Sequence, residues 1–186
     1  MKKNLKAKAY MYPLPVLIIG TYDEKGNPNA MNAAWGTICD TKQVAVVLSA
    51  THKTVKNLLK TKAFTIAMAD VKNVLPADYV GLVSGNDVSD KILKSGWTTT
   101  NSEYVNAPII NELPLTMECK LVSYDYDTEI CIGEVVNVCA DESILDAKNK
   151  VNLSKFKPIC YDCDTHGYYS IGEKVGKAFS EGNKLK

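Results

Sequence analysis

The sequence predicts a mainly β protein, a barrel with flanking helices, and two observations carry that expectation. Late in the chain Leu115, Met117, Cys119 and Leu121 alternate with Thr116, Glu118, Lys120 and Val122, the period of a half-buried strand. After the turn residues 124–128, the segment Ile130 to Ala140 runs back. Parallel neighbours would need a helical crossover between them, so this pair is antiparallel and favours a barrel over a parallel sheet. Near the start, an apolar run from Leu14 to Tyr22, a turn cluster from Asp23 to Pro28 and a second extended run from Asn29 to Gly36 read as a β-hairpin.

With 186 residues the chain is long enough for one sizeable core, and nothing in its composition divides it, so residues 1–186 are expected to form a single domain. Lys plus Arg (22) and Asp plus Glu (21) nearly cancel to +1, which argues against nucleic acid or an anionic membrane as partner. No apolar run approaches a membrane span, and the basic start leads to no apolar core with a cleavage site, so a cytoplasmic location is expected. The six cysteines are read as reduced. Cys39, Cys119, Cys131 and Cys139 lie within or beside apolar strand-like segments, where cysteine behaves as a small hydrophobe.

The second run of the first hairpin is unusual for a strand. Asn29, Ala30, Asn32, Ala33 and Ala34 are small or amide-bearing, which gives up side-chain burial and lets something flat approach the backbone. A poorly packed edge strand accounts for the same residues, and Trp35 read alone is a core anchor. Val44 to Leu48 is a short apolar run, a buried strand. It feeds the stretch from Ser49 to Lys62, where a turn opens a basic helix seated by Val55, Leu58 and Leu59.

The first turn of that helix offers unpaired N–H groups and the positive end of the helix dipole, so an anion is expected there. Thr51 and Thr54 add hydroxyls or cap the helix, and His52 and Lys53 bring a titratable ring and a fixed charge. A capped amphipathic helix with a solvated lysine face is the plainer alternative.

Ala63 to Ala69 reads as another strand. Val71 to Val83 reads as a helix broken or started at Pro76. Ser84-Gly-Asn-Asp87 marks a loop, and Asp87 to Lys94 a helical turn that presents Lys91. The polar stretch Gly96 to Asn111 reads as an excursion or lid, and Asp146 to Val151 as an exposed helix end. In the tail, Cys160, Cys163 and His166 are spaced like zinc ligands, but no fourth ligand is supplied, so no metal site is assigned. A redox pair is the second reading of the two thiols, and plain loop thiols the third.

Laid out in this order, the residues resemble the flavin reductase-like family of FMN-binding split β-barrels, most closely its flavoredoxin-type members. The segments carrying the likeness are Asn29 to Gly36, Ser49 to Asn57, Gly81 to Lys91, Ile132 to Val135 and His166 to Glu173. The resemblance implies an FMN ring along Asn29, Met31, Asn32, Ala33, Ala34 and Trp35. It implies a phosphate at Ser49, Ala50, Thr51, His52, Lys53 and Thr54, with further cofactor contacts from Ser84, Gly85, Lys91 and Tyr169. Many relatives carry Arg where His52 stands, which shifts phosphate pairing toward Lys53 and the backbone. Relatives often have a His near the ring where this chain has Thr128, and no catalytic residue is assigned.

The implied function is an FMN-dependent oxidoreductase of the flavin reductase type, a homodimer with NADH or NADPH as electron donor. The alternative is an electron carrier reduced by a redox partner protein, without a nicotinamide site of its own. A flavin-free binding module is a third reading.

Overall fold

Where two strands adjacent in the chain stand at opposite edges of one sheet, that sheet has to curl. The computed structural model describes residues 1–186. A short β1 (Leu14–Pro15) leads into β2 (Leu17–Tyr22), which turns through Asp23 to Asn27 into β3 (Pro28–Ala33). Only Ala34 and Trp35 separate β3 from β4 (Gly36–Asp40), which pairs with β5 (Gln43–Val47). Helix α1 (Lys53–Thr61), β6 (Ala63–Met68), α2 (Val74–Leu82) and α3 (Lys91–Ser95) follow. Then come the small hairpin β7 (Thr99–Asn101) and β8 (Pro108–Ile110), and the long pair β9 (Leu115–Tyr124) and β10 (Ile130–Ala140). Last are α4 (Leu153–Phe156) and the hairpin β11 (Ile159–Asp162) and β12 (Gly167–Ser170).

Seven strands form the main sheet in the order β3-β2-β6-β9-β10-β5-β4. Laid flat, its outer strands would stand roughly 29 Å apart at about 4.8 Å per step. The link from Ala33 to Gly36 spans at most about 11 Å. The sheet therefore curls until β3 and β4 meet without pairing, which leaves a barrel split along that seam. Gly36 shows how closely the edges approach: a Cβ there would fall 2.4 Å from Leu17 Cδ1 on β2. The expected split β-barrel is the fold observed.

Strand β2 is a continuous apolar run because both of its faces are covered. Leu17 and Ile19 join Val44, Val46, Phe64, Ile66, Cys119 and Cys131 in the core inside the curl, where Val55 and Leu58 seat α1. Ile18 faces the other way, into a second core with Ala30, Ala67, Ala77, Val80, Ile92, Trp97 and Ile110, where α2, α3 and the β7–β8 hairpin cover the outside of the sheet.

Three expectations give way. The stretch from Gly96 to Asn111 is no lid: Trp97 is buried, its indole N–H donates to Asn73 Oδ1 at 2.9 Å, and Thr65 donates to the Pro108 carbonyl at 2.6 Å. Asp146 to Val151 is not helical, because Asp146 Oδ1 accepts the N–H groups of Lys148 and Lys150 and closes a tight loop instead. Trp35 is no core anchor. It is 58% exposed at the seam. Pro76 lies in the first turn of α2, where its missing N–H leaves no bond unmade.

Candidate functional site

Beside the seam, β3, the start of α1, the end of α2 and the β11–β12 hairpin enclose two adjoining clefts. Both are lined by Met31, Asn32, His52, Gly81 and Leu82. The wide cleft, about 400 Å³, adds Ala33, Ala34, Trp35, Val47, Asp78, Tyr161, His166 and Tyr168. The narrow one, about 220 Å³, adds Asn29, Lys53, Thr54, Val80, Val83, Ser84, Gly85 and Lys91.

The narrow cleft gathers hydrogen-bond donors and positive charge. Helix α1 begins after His52, whose backbone is extended and whose side chain makes no cap. The N–H groups of Lys53, Thr54 and Val55 have no partner in the chain. Neither Thr51 nor Thr54 caps the helix, against one expectation. Thr54, 1% exposed, instead accepts from Asn29 Nδ2 at 3.0 Å, which ties the amide strand to the helix start. Gly85 lies against that tie, since a Cβ there would come 2.2 Å from Asn29 Oδ1.

Lys91 does not reach out into solvent. It is 2% exposed, and its ammonium donates to the carbonyls of Val80 at 3.0 Å and Val83 at 2.7 Å, at the end of α2. An ammonium has three N–H groups, so one remains for the cleft. Lys91 takes part in none of the ion pairs, and burial pulls its pKa down to about 8. A buried cation without a counter-charge, facing free N–H groups, is what a bound oxyanion would complete.

The wide cleft is flat on its β3 side. Ala33 and Ala34 hold side chains back, and Asn32 Nδ2 donates to the Ala77 carbonyl at 3.0 Å. On the opposite side Tyr168 donates to Asp78 Oδ1 at 2.8 Å, and Tyr161 Oη lies 2.7 Å from His166 Nδ1. Burial first, and then the Asp78 carboxylate, push the Tyr168 phenol up to about 12.

Four of the expected contacts lie elsewhere. Ser49, Ala50 and Thr51 line neither cleft. Their turn is braced by Glu129, which accepts the Ala50 N–H at 2.9 Å and is held below the usual carboxylate range by that bond and by the Ser49 hydroxyl. Tyr169 points away from the cleft and is 55% exposed, because neighbours on a strand face opposite ways and Tyr168 takes the inward position. Asp78, Tyr161, Tyr168 and His166 escaped the sequence reading as site residues. The signal was alternation along the last hairpin, where Tyr161 stands opposite Tyr168. Cys160 and Cys163 turn to different neighbours, the Tyr169 and Ala9 carbonyls, and no group of three or more His, Cys, Asp or Glu is placed to hold a metal.

A ligand with a planar head and an anionic tail fits these two clefts together. Residues 9–162 match the flavin reductase like domain. Flavoredoxin of Desulfovibrio vulgaris (Miyazaki F) is 37% identical, with a TM-score of 0.94 over 98% of this chain and 100% of that one. Flavoredoxin from Methanosarcina acetivorans is 25% identical, with a TM-score of 0.90 over the whole of both chains. An FMN-binding domain of a flavin reductases-like enzyme from Shewanella baltica shares the fold, at 22% identity and a TM-score of 0.79 over 88% of each chain.

Proposed function

Because the chain belongs to the flavin reductase like domain family, we propose that it is an FMN-binding flavoprotein oxidoreductase whose 186 residues work as one domain. The observation that carries the reading is Lys91, a buried ammonium with one free N–H across a narrow cleft from the unpaired start of α1. The FMN phosphate is held by Lys91, Lys53, the Thr54 hydroxyl and the backbone N–H groups of α1. The ring lies along Asn32, Ala33 and Ala34, with Trp35 at its edge and His52 between ring and phosphate. When bound, FMN supplies the electron or hydride transfer; the chain's residues bind it, orient it and limit water around it.

The protein works as a cytoplasmic homodimer. Its exposed seam residues Trp35 and Ile38 support burial against a second copy. No helix is long and apolar enough to cross a membrane. NADH or NADPH is the electron donor. The alternative is a carrier reduced by a partner protein, which the likeness to two flavoredoxins favours.

Titration with FMN tests the first claim: visible flavin bands and quenched FMN fluorescence are expected, and unchanged spectra at saturation sink it. Anaerobic mixing with NADH and NADPH then separates the two readings. Prompt bleaching identifies a reductase, and bleaching only with a reduced partner protein identifies a carrier.

A further inference from the structure

We propose that Tyr161 and His166 form a proton-delivery pair for the wide cleft, His166 exchanging protons with solvent and Tyr161 passing them inward. The inference rests on the FMN reading, in which the atom that receives the proton belongs to the cofactor or its reaction partner.

The pair is set up by the last hairpin. Tyr161 is half-buried on β11, packed against the outer core and lining the cleft. His166 stands exposed in the turn before β12 with a left-handed backbone, φ 57°, and its Nδ1 meets Tyr161 Oη at 2.7 Å. A positive φ at a residue other than glycine is uncommon, and here it keeps the imidazole over the phenol. One nitrogen is engaged by Tyr161, and the other remains available to water.

The cross-strand neighbour supplies the contrast. Tyr168, opposite Tyr161, already donates to Asp78 and is held in its protonated form well above neutral pH. Its hydroxyl hydrogen is committed to a carboxylate. Tyr161 meets instead an imidazole, the side-chain type whose charge changes near neutral pH. In the transfer, the imidazolium Nδ1–H donates to Tyr161 Oη while the phenol gives its own hydrogen to the anionic atom in the cleft. The imidazolium proton then bonds to Oη, so Tyr161 stays neutral, His166 becomes neutral, and water returns one proton to the ring. One proton is delivered and no electrons move.

The ionisable groups around His166 are Tyr161 and Tyr168 on the strands, and Asp162 and Asp164 in the turn. These two acids accept from Tyr12 and from Tyr10 and Lys8 of the N-terminal arm. Asp78 faces the cleft from α2, and His52 lines it too.

The test uses FMN-loaded protein and follows proton uptake after flash photoreduction with an indicator dye. The wild type should take up its proton promptly, and His166→Asn should slow uptake at least about tenfold, with added imidazole restoring the rate. Tyr161→Phe should slow uptake by at least about tenfold too, and imidazole should not restore it. Unslowed uptake in either variant, or a slowed His166→Asn that imidazole does not rescue, overturns the inference. So does a loss of FMN affinity in both variants, which would make the pair cofactor ligands. Wild-type protein without flavin bands removes the FMN reading and this inference with it, whereas flavin-loaded variants with unslowed uptake remove this inference alone.

Discussion

The two ends of the site are built differently. At the anion end Asn29, Thr54 and Lys91 are buried, and each takes its place from an element distant in sequence: an edge strand, a helix start and a short helix beyond α2. At the hairpin end two bonds run between near neighbours, Tyr161 with His166 and Thr165 with Asp162, while Tyr12 and Asp78 reach in from distant segments, and all but the half-buried Tyr168–Asp78 bond lie at the surface. Buried polar groups are costly to leave unpaired, so the first end is rigid and intolerant of change. Solvent competes for every bond at the second end, which can adjust to pH and to the ligand.

The sharpest way to break this comparison is Lys91→Met. Loss of one charge-assisted hydrogen bond, worth about 1.5–3 kcal/mol, should weaken FMN binding roughly 10- to 100-fold, measured by fluorescence titration. An affinity within a factor of two of wild type would show that the anion end does not rest on the buried ammonium.

The same residue carries a pH signature. Its folded pKa of about 8 lies below the 10.5 of a free lysine, so between those values the unfolded chain binds a proton that the folded chain releases. Stability of the FMN-free protein should therefore rise as pH climbs from 8 toward 10.5, by about 3 kcal/mol at most at ~1.4 kcal/mol per unit. The two carbonyl bonds to the ammonium offset part of that. Urea titrations at pH 7 and pH 9.5 measure the rise, and bound FMN or Lys91→Met should flatten it.

Gly85→Ala is the next step down. Its methyl group would press on Asn29 Oδ1 and cost about 1–3 kcal/mol of stability, read from the urea midpoint, together with a loss of FMN affinity. Tyr168→Phe, at the hairpin end, should cost only about 1 kcal/mol, because Asp78 can turn to water once the phenol is gone.

The smallest effect belongs to Asp162→Asn. Thr165 and Tyr12, both at the surface, hold the Asp162 carboxyl down at about 2. Their contribution is fully present at neutral pH and is lost as pH falls through about 2, and because these bonds lie in solvent the substitution should lower the urea midpoint near neutral pH only slightly. A large shift there would mean that the N-terminal arm is an integral part of the hairpin end, and the contrast between the two ends would fail.

Much of the architecture is legible in the residues themselves. Alternation from Leu115 to Val122, the turn cluster from Asp23 to Pro28 and the apolar run from Val44 to Leu48 report strands through local side-chain periodicity, and all three are observed. The loop from Asp146 to Val151 was misread as a helix end because a single side chain, Asp146, redirects the backbone hydrogen bonds there. Trp97, expected in a polar excursion, is buried, since composition around a tryptophan does not say which face of the sheet is covered.

By itself, then, the sequence determined the first hairpin, the long late strand pair, the start of α1, the split-barrel family and six of the residues that line the narrow cleft: Asn29, Lys53, Thr54, Ser84, Gly85 and Lys91. Only the tertiary structure decided that Lys91 points inward beneath the end of α2, that Glu129 accepts the Ala50 N–H in the Ser49–Ala50 turn, and that Tyr168 rather than Tyr169 faces the cleft. The physical reason is range. Periodicity and turn chemistry act over a few residues, whereas the direction of a side chain at the end of its element is set by packing against segments tens of residues away.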